Sequence, residues 1–303
     1  MQALAGFTMR GRSQAALVAS ASAVLSLLVP LFGLISGAAV ALVTLRRGST
    51  EGLVVGAVAG LASGVLAFLA LGSPLPAVGF AVALWLPVWI LGVVLRHTLS
   101  LGMTVQLAAL FGLVILTGVH LESANPADYW AGILEPLRQN LVQGGVVDAA
   151  KSEALVAEIS RWMTGMFAAA FYFQTLLALM LGRWWQALLY NPGGFGAEFR
   201  SLRVHPALGF LALALFAVVA LRGDAMWAAE LLLLLLPLFL LQGIAVVHGL
   251  AAAFALHRAW LVGFYILLVF AMPHAEVVVA SLGLADVWAN VRAKVARRAP
   301  KKE

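Results

Sequence analysis

Cysteine is absent from the 303 residues, which removes disulfide frameworks, thiolate metal centres, iron–sulfur clusters and thiol catalysis. Charge is scarce too: Asp, Glu, Lys and Arg make up 11% of the chain, where about 25% is ordinary for a soluble domain. Catalytic signatures are also missing, with no H-E-x-x-H, no Walker A glycine loop and no G-x-S-x-G elbow. The sequence therefore predicts no enzyme, no cofactor, no metal site and no nucleic-acid partner. What fills the chain instead is apolar, 63% of it, with a mean hydropathy of +1.01. Too little polar surface remains to cover a globule in water, so the expected class is an all-α polytopic transmembrane bundle forming one integral membrane domain, 1–303.

The apolar runs set out the segments. Residues 14–45 are broken only by Pro30 and 259–290 by Pro273, and each stretch is too long for one ordinary span. Between them lie 52–71, 76–95, 101–121, 162–181, 206–221 and 227–250, the last with a possible helical extension to His257 and Arg258. If both proline-broken stretches are hairpins, fifteen of the 19 bases fall on one side and Arg138, Lys151, Arg161 and Arg222 on the other. Single long helices at both ends would leave twelve against seven, so the positive-inside rule selects hairpins. The expectation is about eight to ten hydrophobic segments in a bacterial inner membrane with both termini cytoplasmic. The apolar run after Arg10 and Arg12 is too long for a cleaved signal peptide.

Three polar pieces remain. The acidic connector 122–161 places Trp130, Ile133, Leu137 and Leu141 at helical spacing, which predicts amphipathic helices on the membrane surface, with Pro136 as a break. It reads either as a lid over a cavity or as a plain connector. The loop 183–205 contains Asn191, Pro192, Gly193 and Gly194, which must stop a helix, followed by Arg200 and Arg203. Its glycine turn and arginines suit a phosphate or lipid headgroup, or an ordinary interfacial turn. The basic tail 291–303 suits anionic lipid and marks topology.

Within the spans, Gly52, Gly56, Gly60 and Gly64 recur at i, i+4, the pattern of close helix packing, and Gly33 and Gly37 form a shorter version. Polar residues are costly in hydrocarbon, which singles out Gln106, His120, Gln174, Gln242 and His248 as cavity-lining candidates, with His274 and Glu276 at the Pro273 bend. Gln106, Thr117 and His120 share one helical face.

Two stretches carry a likeness to known sequences. They are Trp184-Trp185-Gln186 running into Tyr190-Asn191-Pro192-Gly193-Gly194-Phe195 and Glu198-Phe199, and Gln242-Gly243 with His248 and the closing Leu282-Gly283-Leu284-Ala285-Asp286, Trp288, Asn290 and Arg292. With the early proline-broken hairpin they resemble the YybS-like bacterial membrane proteins, a domain family of unknown function. That family is distantly similar to the substrate-binding subunits of energy-coupling-factor vitamin transporters, which work with separate ATPase and coupling subunits. The resemblance implies a substrate-binding or permease-like subunit without its own ATPase, energised by a membrane partner or an ion gradient. The alternative is a non-transport scaffold that recruits a partner through the glycine face or the 183–205 loop.

Overall fold

The structure is a computed structural model that describes residues 1–298; the end of the basic tail, 299–303, lies outside the described residues. Helices follow one another in the order α1 (Gln2–Thr8), α2 (Arg12–Leu25), α3 (Phe32–Arg47), α4 (Ser49–Leu71), α5 (Leu75–Thr98), α6 (Leu101–Glu122), α7 (Pro126–Gln143), α8 (Ala149–Tyr190), α9 (Gly194–Arg200), α10 (Pro206–Arg222), α11 (Met226–Ala253), α12 (Arg258–Phe270), α13 (His274–Ala289) and α14 (Val291–Arg298). No strand occurs among the described residues. A helix satisfies its backbone hydrogen bonds within the segment, as hydrocarbon requires. The chain is an all-α polytopic fold.

Among the described residues α4, α5, α6, α8 and α11 are long and apolar enough to cross a bilayer, and α12 with α13 add a sixth candidate span bent by 119° at Pro273. The remaining hydrophobic segments, α2, α3 and α10, are helices of 14, 16 and 17 residues, below span length. Both proline sites thus divide a long apolar stretch into paired short helices.

Contacts group the chain into two compact units, one of Met1–Ala108, Phe171–Arg203 and Val247–Ala252, the other of Ala109–Ala170, Val204–Val246 and the residues from Ala253 onward. The first unit is built on α2 packing against α3 and α4, with α5 against α3. Ser36 ties three of these helices together: its hydroxyl donates to the Ala19 carbonyl at 2.7 Å and accepts the Trp85 indole N–H at 2.9 Å. Where α3 ends, the Arg96 guanidinium donates to the Leu45 carbonyl at 2.7 Å, giving a helix C-terminus both a partner and a favourable charge.

In the second unit α10 and α12 pack on α13, and α11 crosses α13 where a Cβ at Gly243 would overlap the Val279 carbonyl oxygen and one at Gly283 would overlap that of Phe239. Only glycine lets two backbones meet that closely. The 52–64 glycine series behaves otherwise. A Cβ at Gly52 would strike Thr44 and one at Gly60 would make ordinary contact with Trp85, but Gly56 and Gly64 have open space.

Three expectations need correction. Helix α8 runs unbroken for 42 residues, so 149–161 continues the helix that carries the 162–181 apolar run instead of forming a separate surface helix. No proline interrupts it, and at 1.5 Å per residue it is roughly 63 Å long, about twice the hydrocarbon thickness. Pro136 lies inside α7 without ending it, because the carbonyl it orphans belongs to Gly132, which is exposed and open to water. Helix α11 stops at Ala253; Ala255 turns to a φ of +50° and the His257 ring accepts the Ala259 N–H at 3.3 Å, starting α12 afresh. Helix α7 keeps its amphipathic character, with Ile133 and Leu137 exposed. Arg138 pairs with Glu135 at 2.7 Å and, chiefly through that hydrogen bond, holds its carboxyl down at about 2.

Alanine at Gly243 should therefore lower stability by about 1–3 kcal/mol, the cost of overpacking, whereas alanine at Gly56 or Gly64 should leave it unchanged or slightly raised. Thermal unfolding of the purified variants in detergent reads the difference.

Candidate functional site

Of the five cavity-lining candidates, Gln106, Gln174 and His248 belong to the first unit and His120 and Gln242 to the second. The Gln106 amide donates to the Gly102 carbonyl one turn earlier at 2.8 Å, and Thr117 likewise donates to Leu113 at 2.8 Å, so that polar stripe is partly spent within its own helix. Gln174 is exposed, its amide lying against Gly33. His248 stands edge-on to Phe199 at 5.7 Å and lines an apolar cavity of about 410 Å³ with Trp184, Phe195 and Gly196. His274 is exposed in the first turn of α13, where Glu276 complements the helix N-terminus.

Gln242 lies at the centre of a closed polar junction. It is 0% exposed, accepts the Val204 N–H at 2.6 Å and donates to the Asp286 carboxylate at 3.3 Å. Asp286, also 0% exposed, accepts in addition from the Arg292 guanidinium and the Val291 N–H, both at 2.8 Å. Asn290 takes the left-handed conformation that ends α13 and returns the chain to this carboxylate. Gln242, Gly243, Gly283, Asp286 and Arg292 thus form one junction in which two glycines bring the helices close enough for Gln242 to reach Asp286. Each partner in it is satisfied, as a structural role demands.

His120 meets a residue that the sequence reading passed over. Glu230, fifth in α11 and 3% exposed, places Oε2 3.2 Å from His120 Nε2. This is ion-pair distance without hydrogen-bond alignment, and Oε2 has no aligned donor among the described residues. On the other side of the ring, Nδ1 lies 3.0 Å from the Leu116 carbonyl, which can only accept. Nδ1 therefore carries hydrogen, and a neutral ring beside an ionised carboxylate would set lone pair against lone pair.

The surrounding helices enclose the carboxyl while leaving the ring accessible. A Cβ at Gly165 would come 3.0 Å from the Glu230 Cα, so glycine there lets α8 close over α11. The adjacent Thr164 accepts the Trp130 indole N–H at 2.8 Å, and that ring leans on Phe167 at 5.4 Å, anchoring α7. The His120 side chain is 41% exposed. The second unit also holds an apolar cleft of about 480 Å³ lined by Trp162, Phe216, Ala229 and Leu233.

In the 183–205 loop, Gly193 takes a φ of +83° and starts α9, while Asn191 and Pro192 are exposed. Arg200 and Arg203 are exposed as well, and a Cβ at Gly102 would press on the Arg203 carbonyl. The sheltered charges are Arg183 and Glu198, paired at 2.7 Å; burial outweighs the arginine and pushes the Glu198 carboxyl above its ordinary range. No metal-binding group of His, Asp and Glu occurs among the described residues. Comparison of the chain with protein-family models, curated proteins and solved structures returned no match.

The junction and the pair should respond differently to substitution. Arg292→Ala leaves a buried carboxylate without its cation and should cost about 3–5 kcal/mol. Gln242→Ala should cost about 1–3 kcal/mol. His120→Asn, at a half-open position, should stay within roughly 1 kcal/mol of wild type. Denaturation in detergent followed by tryptophan fluorescence measures all three.

Proposed function

We propose that the chain is a permease-like membrane subunit that binds a small solute and links that binding to a proton held between His120 and Glu230. The observation behind this reading is the Glu230 carboxyl, enclosed within a membrane-length helix yet lacking an aligned donor on Oε2. Ionisable groups in such positions are rare and mark ion and substrate paths. The neighbouring His120 is open on one side, so protons can reach the pair. The apolar cleft beside Ala229 supplies volume for an apolar solute body. With no nucleotide-binding motif in the sequence, the energy comes from an ion gradient or a separate subunit. On the positive-inside reading both termini are cytoplasmic in a bacterial inner membrane, and the pair lies toward the outer surface.

Native mass spectrometry of the purified protein and of Glu230→Gln, at acidic and at neutral pH, tests it. Wild type should retain a small molecule whose occupancy changes severalfold between the two conditions, and the variant should lose that dependence. Equal occupancy in both proteins, or co-purifying protein partners with no small molecule, would overturn transport and favour a scaffold.

A further inference from the structure

A third cavity, in the first unit, has a different chemistry. Of about 400 Å³, within the roughly 300–1,000 Å³ usual for small-molecule sites, it is lined by Arg96, Arg183, Gln186 and Glu198 over the side chains of Leu45, Leu95 and Leu99. Its formal charge is +1, from two guanidinium groups and one carboxylate. Arg183 is 14% exposed and engages Glu198 through Nη2, while its Nη1 is buried and has no partner among the described residues. Arg96 spends Nη1 on the Leu45 carbonyl at 2.7 Å and is otherwise exposed. Two planar donor forks from different helices therefore line one cavity, together with Gln186 and the Glu198 carboxylate.

We infer that this cavity binds a phosphate-type oxyanion between Arg96 and Arg183. A guanidinium recognises phosphate through paired N–H donors, and the unsatisfied Nη1 gains a charge-assisted partner when an oxyanion oxygen reaches it through a small rotation of the group. Glu198 holds Arg183 in place and leaves the site with one net positive charge, which a phosphate oxyanion offsets. Location favours phosphate over a carboxylate: Arg96 is two residues from the end of α5 and Arg183 seven from the end of α8, both membrane-length helices, where a bilayer presents its phosphate layer. The same chemistry is offered by a lipid headgroup and by a phosphorylated solute. The inference stands independently of the His120–Glu230 reading, because none of its residues belongs to that pair.

Two arms separate the sources. In neutral detergent, inorganic phosphate is titrated at constant ionic strength against chloride while thermal unfolding is followed. In phosphatidylcholine nanodiscs with and without phosphatidylglycerol, retained lipid is counted by native mass spectrometry after detergent extraction. A phosphate-dependent rise of several degrees assigns a free phosphate, and selective retention of phosphatidylglycerol assigns a headgroup. In either case Arg183→Lys, which keeps the charge beside Glu198, and Arg96→Gln should lose at least tenfold in apparent affinity, while Arg222→Gln should match wild type. No stabilisation and no selective retention, or responses in Arg183→Lys and Arg96→Gln equal to wild type, would overturn the site.

Discussion

A polar side chain inside a membrane-spanning helix has no water to turn to, so each one must find a partner in the protein, reach an interface or remain costly. The second unit meets this constraint in two ways. Around Asp286 the carboxylate is closed off and receives donors from Gln242, Val291 and Arg292. Around Glu230 the carboxyl is nearly as enclosed and meets the His120 imidazole at a distance and angle that leave Oε2 without an aligned donor among the described residues. A fully satisfied network is rigid and has nothing to exchange. An incompletely satisfied one depends on a hydrogen that can be present or absent, which is the property a proton-linked site requires.

Much of the fold could be read from the sequence because hydrophobic length and proline position are one-dimensional signals. The bend at Pro273 and the short helices on either side of Pro30 follow from apolar stretches too long for one span. Helix α8 was harder: Lys151, Glu153, Glu158 and Arg161 look like connector, but they are good helix formers and nothing in 149–190 stops the helix. Ala255 gave no warning either, since a non-glycine residue at positive φ has no compositional mark.

The candidate site was legible only in part, for the same reason. His120 stood out as a polar residue in an apolar run, yet its partner was hidden by position, because Glu230 falls in the first turns of α11 and can pass for an interfacial acid. The signal was nonetheless present as a lone acid immediately before the leucines 231–236. Gln242 shows the opposite limit. Its expense in hydrocarbon was correctly visible, but whether a buried amide lines a cavity or locks a junction depends on Val204 and Asp286, residues 38 and 44 positions away. The glycines divide in the same manner: regular spacing drew attention to 52–64, whereas the tightest crossing uses the irregular pair Gly243 and Gly283.

The central claim is that the carboxyl of Glu230, paired with His120, gains and loses a proton within the membrane. Infrared difference spectroscopy of the protein in lipid, recorded as pH is stepped, observes that event through the stretch of a protonated buried carboxyl. A pH-dependent band present in wild type, missing in Glu230→Gln and displaced along the pH axis in His120→Asn is the predicted result. Spectra from wild type and Glu230→Gln that superimpose throughout the titration would contradict it.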